Sequence, residues 1–383
     1  MLPVTRTFPN ALDTAVLRPT PYHASLLSKL SPSPLQNPLH SLKRPVTMAD
    51  VAARLGVSKM TVSRALQRTA SSPRAGAEAL RQNILQACDE MGYVMDHTAR
   101  TFSSQRSGFV AALIPTLNNS NFSETEHGLA QAVEAGGLQL LLGRTDYLVE
   151  TEERLVRTML MRRPEGVVLT GDNHSAATRG LLQAAGIPVV ETWDLPKVPI
   201  GHTVGFSNAD ATAALVHYLH AKGYRRIAFM GGTSERDPRG VDRRQGYSRA
   251  MQALGLGAGC VVSAGEPPVS MEQGRAGMQQ LMQQWPEADA AVCVSDHCAF
   301  GALMECHRQG WAVPGRIGIA GFGDFEVGKS CFPRITTVAM DCVDIGVQAG
   351  ELLLQAIAAA RRGQAFAAQT VLVPFRIEAR ESA

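Results

Sequence analysis

Residues Thr47 to Gln67 read TMADVAARLGVSKMTVSRALQ, and this stretch decides the architecture of the N-terminal part of the chain. Thr47 is placed to cap a helix. Asp50, three residues on, occupies the capping-box position, where its charge also suits the positive end of the helix dipole. Gly56 predicts the end of that helix and Ser58 the N-cap of the next. Val51, Leu55, Val57, Val62 and Leu66 are spaced to meet in one small core. Two short helices joined by a tight turn containing glycine form a helix-turn-helix. Lys59, Met60, Thr61, Ser63 and Arg64 stay outside that core. The first three sit at the N-terminal end of the second helix, where a recognition helix meets base edges. A third helix is predicted from Ala75 to Met91, its apolar face made by Ala77, Leu80, Ile84, Ala87 and Met91, with Gly92 as the stop.

Charge supports this reading. Residues 43–107 hold ten Lys/Arg against five Asp/Glu, whereas residues 108–383 carry a net −4, within a chain of net charge +3. A small basic segment on a large, slightly acidic body points to an anionic partner at one end, and with the exposed Ser/Thr/Lys/Arg face that partner is DNA.

At 383 residues the chain exceeds one ordinary core, and 45% hydrophobic with 19% charged residues describes a globular protein in water. No apolar run reads as long enough to span a bilayer, and no secretory h-region opens the sequence. The seven cysteines are odd in number and show no C-x-x-C spacing, which reads as reduced thiols in a cytoplasm. Residues 1–44 are rich in Pro, Leu and Ser, with Asp13 their one acid, and read as a disordered extension.

From residue 110 the pattern becomes alternating β and α units. Apolar runs recur as VAALIP (110–115), LQLLLG (138–143), GVVLTG (166–171) and IPVVETW (187–193). A second set follows as RIAFMGG (226–232), CVVSAG (260–265), AAVCVS (290–295) and IGIAGF (317–322). Helical stretches such as 208–221 and 270–284 separate them, so the runs predict parallel strands covered on both faces. Two sets imply two doubly wound subdomains. The chain crosses once more through TTVAMD (336–341), a helix to about residue 362, and TVLVPFRIEARES (370–382).

TMADVAARLGVSKMTVSRAL, EMGY (90–93) and the segment to Ser107 resemble the headpiece of LacI/GalR-type transcriptional regulators. GVVLTG, GIPVV, GYRRIAFMGG, RRQGY, SDHCAFG, IAGFGD, ITTVAMD and the closing RES resemble the body of the same family. The similarity runs over roughly residues 45–383. It implies an all-α helix-turn-helix headpiece at 45–95, a hinge helix and linker at 96–107, and a periplasmic-binding-protein-like body at 108–383. It also implies a homodimeric repressor on a pseudo-palindromic, double-stranded operator, controlled by a small sugar-type effector and needing no cofactor or metal. Carried over by position, Lys59, Met60 and Arg64 read bases, while Ser58, Thr61 and Ser63 hold phosphates. Phe102 stands where the hinge inserts an apolar wedge into the minor groove, usually Leu. Asp96 replaces the usual Asn, close to DNA phosphate and within reach of Arg100. The loop at 67–76 is longer than is common in the family.

A two-lobed body that closes on a ligand needs polar groups at the C-terminal ends of its strands. The first lobe offers Asn118, Asn119 and Asn121 after VAALIP, and Glu191 and Asp194 around IPVVETWD. The second offers Arg243 and Asp296, and Asn208 matches a family motif position. The resemblance places an Arg at position 243 and an Asp at 296 in the cleft, and Arg supplies a rigid bidentate fork suited to a carboxylate. Asn208 and Asp296 also fit the bland role of helix caps. VVETWD, VGFSN and KMTVSR look like the branch that regulates gluconate or related sugar-acid use, with Ser207 departing from its usual VGFDN.

Two rival readings arise. GFGDFEVGKS (321–330) matches the phosphate-binding pattern G-x-x-x-x-G-K-[ST] at Gly323, Gly328, Lys329 and Ser330, which would make the protein a P-loop ATPase or sugar kinase with an appended helix-turn-helix. Pro333 follows the match closely and Asp324 and Glu326 lie inside it, so the pattern reads as accidental. The other rival is a sugar-binding module with a vestigial headpiece. His217 and His220 find no third metal ligand at useful spacing, no catalytic motif occurs, and the expectation is a regulator rather than an enzyme.

Overall fold

The computed structural model describes residues 44–67, 75–94, 107–232 and 234–383. The extension up to residue 43, most of the loop 67–76, and the hinge positions Asp96, Arg100 and Phe102 lie outside the described residues. The chain divides into two compact units, Met1–Met95 and Asp96–Ala383.

Among the described residues the first unit has three helices, α1 (Met48–Leu55), α2 (Lys59–Gln67) and α3 (Ala75–Met91). Local chemistry sets their ends. Asp50 Oδ2 accepts from the Thr47 amide at 2.8 Å and from its hydroxyl at 2.7 Å. Gly56 turns the chain at φ 65°, and Ser58 Oγ accepts from the Thr61 amide at 3.1 Å. Val51, Val62 and Ile84 are fully buried, and Leu55, Val57, Leu66 and Met91 pack around them. Ala77 and Leu80 depart from the expected face and are exposed. The apolar contact of α3 with the helix pair is made by its second half, through Ile84, Ala87, Cys88 and Met91 at i, i+3, i+4 and i+7, while Arg81 Nε donates to the Ala65 carbonyl of α2 at 3.3 Å.

The second unit contains two six-stranded sheets. The first lobe runs β1 (Phe109–Ile114), α4 (Ser120–Ala135), β2 (Gln139–Arg144), α5 (Val149–Leu160), β3 (Val167–Thr170), α6 (Ala176–Ala185), β4 (Val189–Thr192) and β5 (His202–Gly205). The second runs α7 (Asn208–Ala221), β6 (Ile227–Gly231), α8 (Pro238–Ala253), β7 (Cys260–Ser263), α9 (Met271–Gln284), β8 (Ala290–Cys293), α10 (Asp296–Gln309), β9 (Gly318–Phe322), α11 (Glu326–Ser330) and β10 (Thr336–Met340). The chain then returns to the first lobe as α12 (Cys342–Arg361) and β11 (Thr370–Leu372), and ends in the second as β12 (Phe375–Glu378).

The strand orders are β11-β5-β4-β3-β1-β2 and β12-β10-β9-β8-β6-β7. Among the described residues all strand pairings are parallel except β12 against β10. The fold is thus a helix-turn-helix headpiece and a periplasmic-binding-protein-like body of two doubly wound, parallel-dominated subdomains. Three crossings join the lobes, after β5, after β10 and at Val373-Pro374 between β11 and β12. In each sheet the strand order reverses beside the first strand, which opens a crevice at the strands' C-terminal ends.

α12 corrects one sequence expectation, because its 20 residues are long and apolar enough to cross a membrane by length and composition alone. It packs instead along α4 and onto β4 and β5. The approach of the two helices is backbone-close: a Cβ on Gly128 would lie 2.1 Å from the Val343 carbonyl oxygen, and one on Gly346 1.9 Å from that of Thr125.

Candidate nucleic-acid interface and effector cleft

On α2 the side chains of Lys59, Met60 and Arg64 are exposed, Met60 at 62%, while Thr61 and Ser63 are partly covered. Ser58 is exposed just before the helix, its Oγ 2.9 Å from Thr61 Oγ1. A long apolar side chain held in water beside two cations is poor packing but a usable reading surface: Arg fits guanine O6/N7 and Met fits a thymine methyl. Val62 and Ala65 on the opposite side fix the helix to the core.

In the body, a narrow cavity lies between the lobes. Its walls combine Asn118, Asn119 and Asn121 from the start of α4 with Arg239 and Arg243 from α8. Phe122, Tyr147, Trp193, Phe322 and Phe325 supply aromatic surface. Trp193 sits edge-on to Phe122 at 5.3 Å and to Phe206 at 6.0 Å. Its indole Nε1–H is buried with no hydrogen-bond partner among the described residues.

The two arginines are one helical turn apart and differ in their neutralisation. Arg239, 4% exposed, pairs with Asp237 at 3.3 Å and lies over the rings of Phe122 and Tyr147, at 5.2 and 5.7 Å. Burial opposes its charge, but Asp237, Tyr147 and Asp194 outweigh that and its pKa rises. Arg243 donates from Nε to Asn208 Oδ1 at 2.9 Å and from Nη1 to the Val294 carbonyl at 2.7 Å, and it lies 3.7 Å from the Phe322 ring centroid. Burial draws its pKa down to about 10, opposed by Asp237, so it remains a cation at neutral pH. Among the described residues no carboxylate forms an ion pair with it. Its charge is therefore available to an anion, at much lower desolvation cost than a bare buried ion would carry.

Asn208 and Asp296 stand one layer behind the cavity wall. The caps of α7 and α10 are the preceding residues: Ser207 Oγ accepts from the Asp210 amide and Ser295 Oγ from the Cys298 amide. That frees the two polar side chains for other work. Asn208 Nδ2 donates to the Trp193 carbonyl at 3.0 Å, so its amide bridges the first lobe to Arg243. Asp296 accepts from the Phe325 amide and the Thr337 hydroxyl, each at 2.7 Å. It is fully buried, and burial raises its pKa to about 6 against those two hydrogen bonds.

Asp194, 4% exposed, accepts from the Leu195 amide at Oδ1 and leaves Oδ2 without a partner among the described residues. Burial, then Asp172, raises its pKa to about 6. Glu191 faces away from the cavity. Its Oε2 accepts from the Ile200 amide, and Oε1 lies 3.6 Å from Nε2 of His174, whose Nδ1 is 2.9 Å from Glu152. Burial raises the pKa of Glu191; at His174 burial is outweighed by Glu152 and the pKa rises. Of the six expected cleft residues, Asn119 and Arg243 line the cavity, Asn119 while capping α4 through the Asn121 amide. Asp194, Asn208, Asp296 and Glu191 do not line it, because each is turned inward to satisfy backbone or hydroxyl groups. Arg239 and Tyr147 were missed. The i, i+4 spacing of Arg239 and Arg243 after Pro238 was the available signal for the first; none marked the second.

Residues 47–96 match the family of bacterial regulatory proteins, lacI family, and residues 216–383 match the periplasmic binding protein-like domain. The HTH-type transcriptional regulator GntR of Escherichia coli K12 is 34% identical over 82% of this chain and 92% of its own length. The chain belongs to the LacI family. It is a DNA-binding transcriptional regulator of that family. GntR of Pseudomonas aeruginosa is 35% identical over 88% of this chain and 95% of its own. A LacI-family regulator from Silicibacter pomeroyi, known from its crystal structure, is 43% identical, with TM-score 0.66 over 72% of this chain and 98% of that one.

In this LacI-family body, GFGDFEVGKS does not form a phosphate loop. α11 begins at Glu326 and ends at Ser330, where a phosphate-binding helix would have to begin. The amides of Gly323, Phe325, Gly328 and Lys329 donate to Val338 O, Asp296 Oδ2 and, for the last two, Phe325 O. Lys329 is paired with Asp324 at 3.1 Å. With its donors and its cation already engaged, the loop presents no cradle.

Proposed function

We propose that the protein is a repressor that binds a pseudo-palindromic operator as a homodimer and changes its operator affinity when a small sugar acid, gluconate first among candidates, enters the body. In this reading Lys59, Met60 and Arg64 contact bases, Ser58, Thr61 and Ser63 hold phosphates, and Phe102 is the minor-groove wedge. The observation that carries the effector class is Arg243, a cation fixed by Asn208 and Val294 with no carboxylate of its own. A ligand carboxylate fits its remaining donors, and the ligand hydroxyls fall to Asn118 and Asn119. Asp194, Asn208 and Asp296 act through the positions of Trp193, Arg243 and Phe325. Glu191 serves the first lobe's interior.

The lobes touch across the cleft, through Asn121 Nδ2 to the Gly323 carbonyl at 2.8 Å and Arg236 Nη2 to the Asp146 carbonyl at 3.0 Å. A ligand held by both lobes favours this closed arrangement, and the coupling to DNA is then reciprocal. The site of action is the cytoplasm, and no catalysis is involved. The test is fluorescence anisotropy on a duplex selected from a random pool, with and without gluconate, for the wild type and Arg243→Ala. The variant should bind the same duplex and ignore gluconate. Loss of DNA binding in the variant, or an unchanged gluconate response, would sink the reading.

A further inference from the structure

Among the described residues every strand pairing in the first lobe's sheet is parallel. The segments that enter its strands therefore lie at one end, and those that leave them at the other. The leaving end faces the cleft, where it presents Asn118, Asn119, Tyr147 and Trp193. The entering end is where residues 96–107 join the body, because Ser107 and Gly108 lead directly into β1. The two ends carry opposite charge. Around the entering end, 107–108, 134–138, 161–166, 185–188, 199–201 and 361–369 hold Arg162, Arg163, Arg361 and Arg362 against Glu134 and Glu165, four cations and two carboxylates, a net +2. Around the leaving end, 115–119, 145–148, 171–175, 193–198, 206–207 and 373–374 hold Lys197 against Asp146, Asp172 and Asp194, a net −2.

Contacts tie the cations to the point of attachment. Glu165 Oε1 accepts from the Gly108 amide at 3.1 Å, its other carboxylate oxygen pairs with Arg361, and its own amide donates to the Phe109 carbonyl at 2.9 Å. Arg163, Glu165 and Arg361 line one hollow beside the start of β3. Arg361 is thus answered locally. Arg162 and Arg163 are exposed and pair with no carboxylate among the described residues, and the exposed Arg362 donates from Nε to Gln364 Oε1 at 2.6 Å. Arg163 also holds φ at 54°, in the left-handed region where a helix ordinarily ends on glycine. α6 ends at the same rim on Gly186, at φ 63°, with no cation in its last turn. Helix termination does not call for an arginine here, and packing does not hold one, since the side chain is exposed. A strained position kept without either reason points to function.

Twelve residues, 96–107, separate the headpiece from Gly108, at most roughly 43 Å of extended chain. We propose that Arg162, Arg163 and Arg362 form a second DNA contact on the body itself, taking backbone phosphates of the duplex that the headpiece holds. Guanidinium forks suit phosphate oxygens, and such contacts add affinity without reading sequence. The proposal rests on the operator-binding reading above and is independent of the effector.

Anisotropy titrations of the full chain over a range of salt test it on two duplexes, the one selected from a random pool and a scrambled one of equal length. Arg162→Gln/Arg163→Gln should bind both at least about tenfold more weakly at about 0.1 M salt, with the slope of log affinity against log salt shallower by about 1–4. The affinity ratio between the duplexes should keep its wild-type value, and Arg162→Lys/Arg163→Lys should restore most of the slope. Arg225→Gln/Arg226→Gln, an adjacent exposed pair entering β6 of the second lobe, should leave the slope unchanged. An unchanged slope in an Arg162/Arg163 double-Gln variant that melts like the wild type overturns the proposal. So does an equal change in the second-lobe pair, which makes the effect one of net charge. A loss confined to the selected duplex at constant slope also overturns it, because that marks an altered headpiece and not a lost phosphate contact. A wild type that binds neither duplex sinks the operator reading and the second contact with it, whereas an unchanged variant on a salt-sensitive wild type sinks the second contact alone. Arg362→Gln carries the same comparison should the double variant not fold.

Discussion

Asp194 is a carboxylate that the fold holds at a cost at neutral pH. It is 4% exposed, one oxygen has no partner among the described residues, and its pKa is raised from 3.8 to about 6, by burial first and by Asp172 second. A raised carboxylate pKa means that the folded state holds its proton at a pH where the unfolded chain has released it. Stability is therefore highest below pH 4 and falls as the pH rises from about 4 to about 6, then stays level. The full shift corresponds to roughly 3 kcal/mol at about 1.4 kcal/mol per pH unit. Between pH 4.5 and 7.5 about 2 kcal/mol of it is traversed. Asp194→Asn keeps the acceptor for the Leu195 amide and removes the titration. The new amide has its own burial cost, but that cost is the same at every pH and cancels in the comparison. Urea melts of the wild type and variant at half-unit steps should show the variant gaining about 2 kcal/mol relative to the wild type across this window. A stability difference that does not move with pH, or one that moves in the variant's disfavour, would refute the reasoning.

Asn208→Ala removes the acceptor of Arg243 Nε and the donor to the Trp193 carbonyl. Leaving those groups unmatched should cost roughly 2–3 kcal/mol of stability and weaken the ligand response more than operator binding, read by melts and anisotropy. Gly128→Ala drives a methyl to within 2.1 Å of the Val343 carbonyl oxygen. The helices α4 and α12 must separate, so thermal melts should show a loss of about 2–3 kcal/mol, whereas Gly180→Ala, in the interior of α6 with open space at its Cβ, should gain about 0.5–1 kcal/mol.

The headpiece was legible because its signals are local. Thr47, Asp50, Gly56 and Ser58 specify helix ends within three or four residues of themselves, and the structure places them as caps and stop. The long apolar runs were equally plain, since strands buried on both faces need little else to be recognised. β5 escaped as a strand because HTVG is short and carries two polar residues; its place is fixed by β4 and β11 on either side. The antiparallel pairing of β12 was hidden for a similar reason. It depends on the chain turning at Val373-Pro374 after β11 has joined the other sheet, a long-range event that leaves no local mark.

At the cleft the division falls between residue type and direction. The sequence by itself placed Asn119, Asp194 and Asp296 near strand ends, where polar residues follow apolar runs, and the family resemblance added Asn208 and Arg243. Only the tertiary structure decided which of them face the cavity. Ser207 and Ser295 take the capping duty, so Asn208 and Asp296 turn to Arg243, Trp193 and the Phe325 loop. Arg239 meets Tyr147 across 92 residues of sequence only because two separately wound sheets close on each other. Capping, hydrophobic patterning and backbone preference act over a few residues and are written in the chain, whereas the facing of two lobes is set by three crossings and the packing they permit.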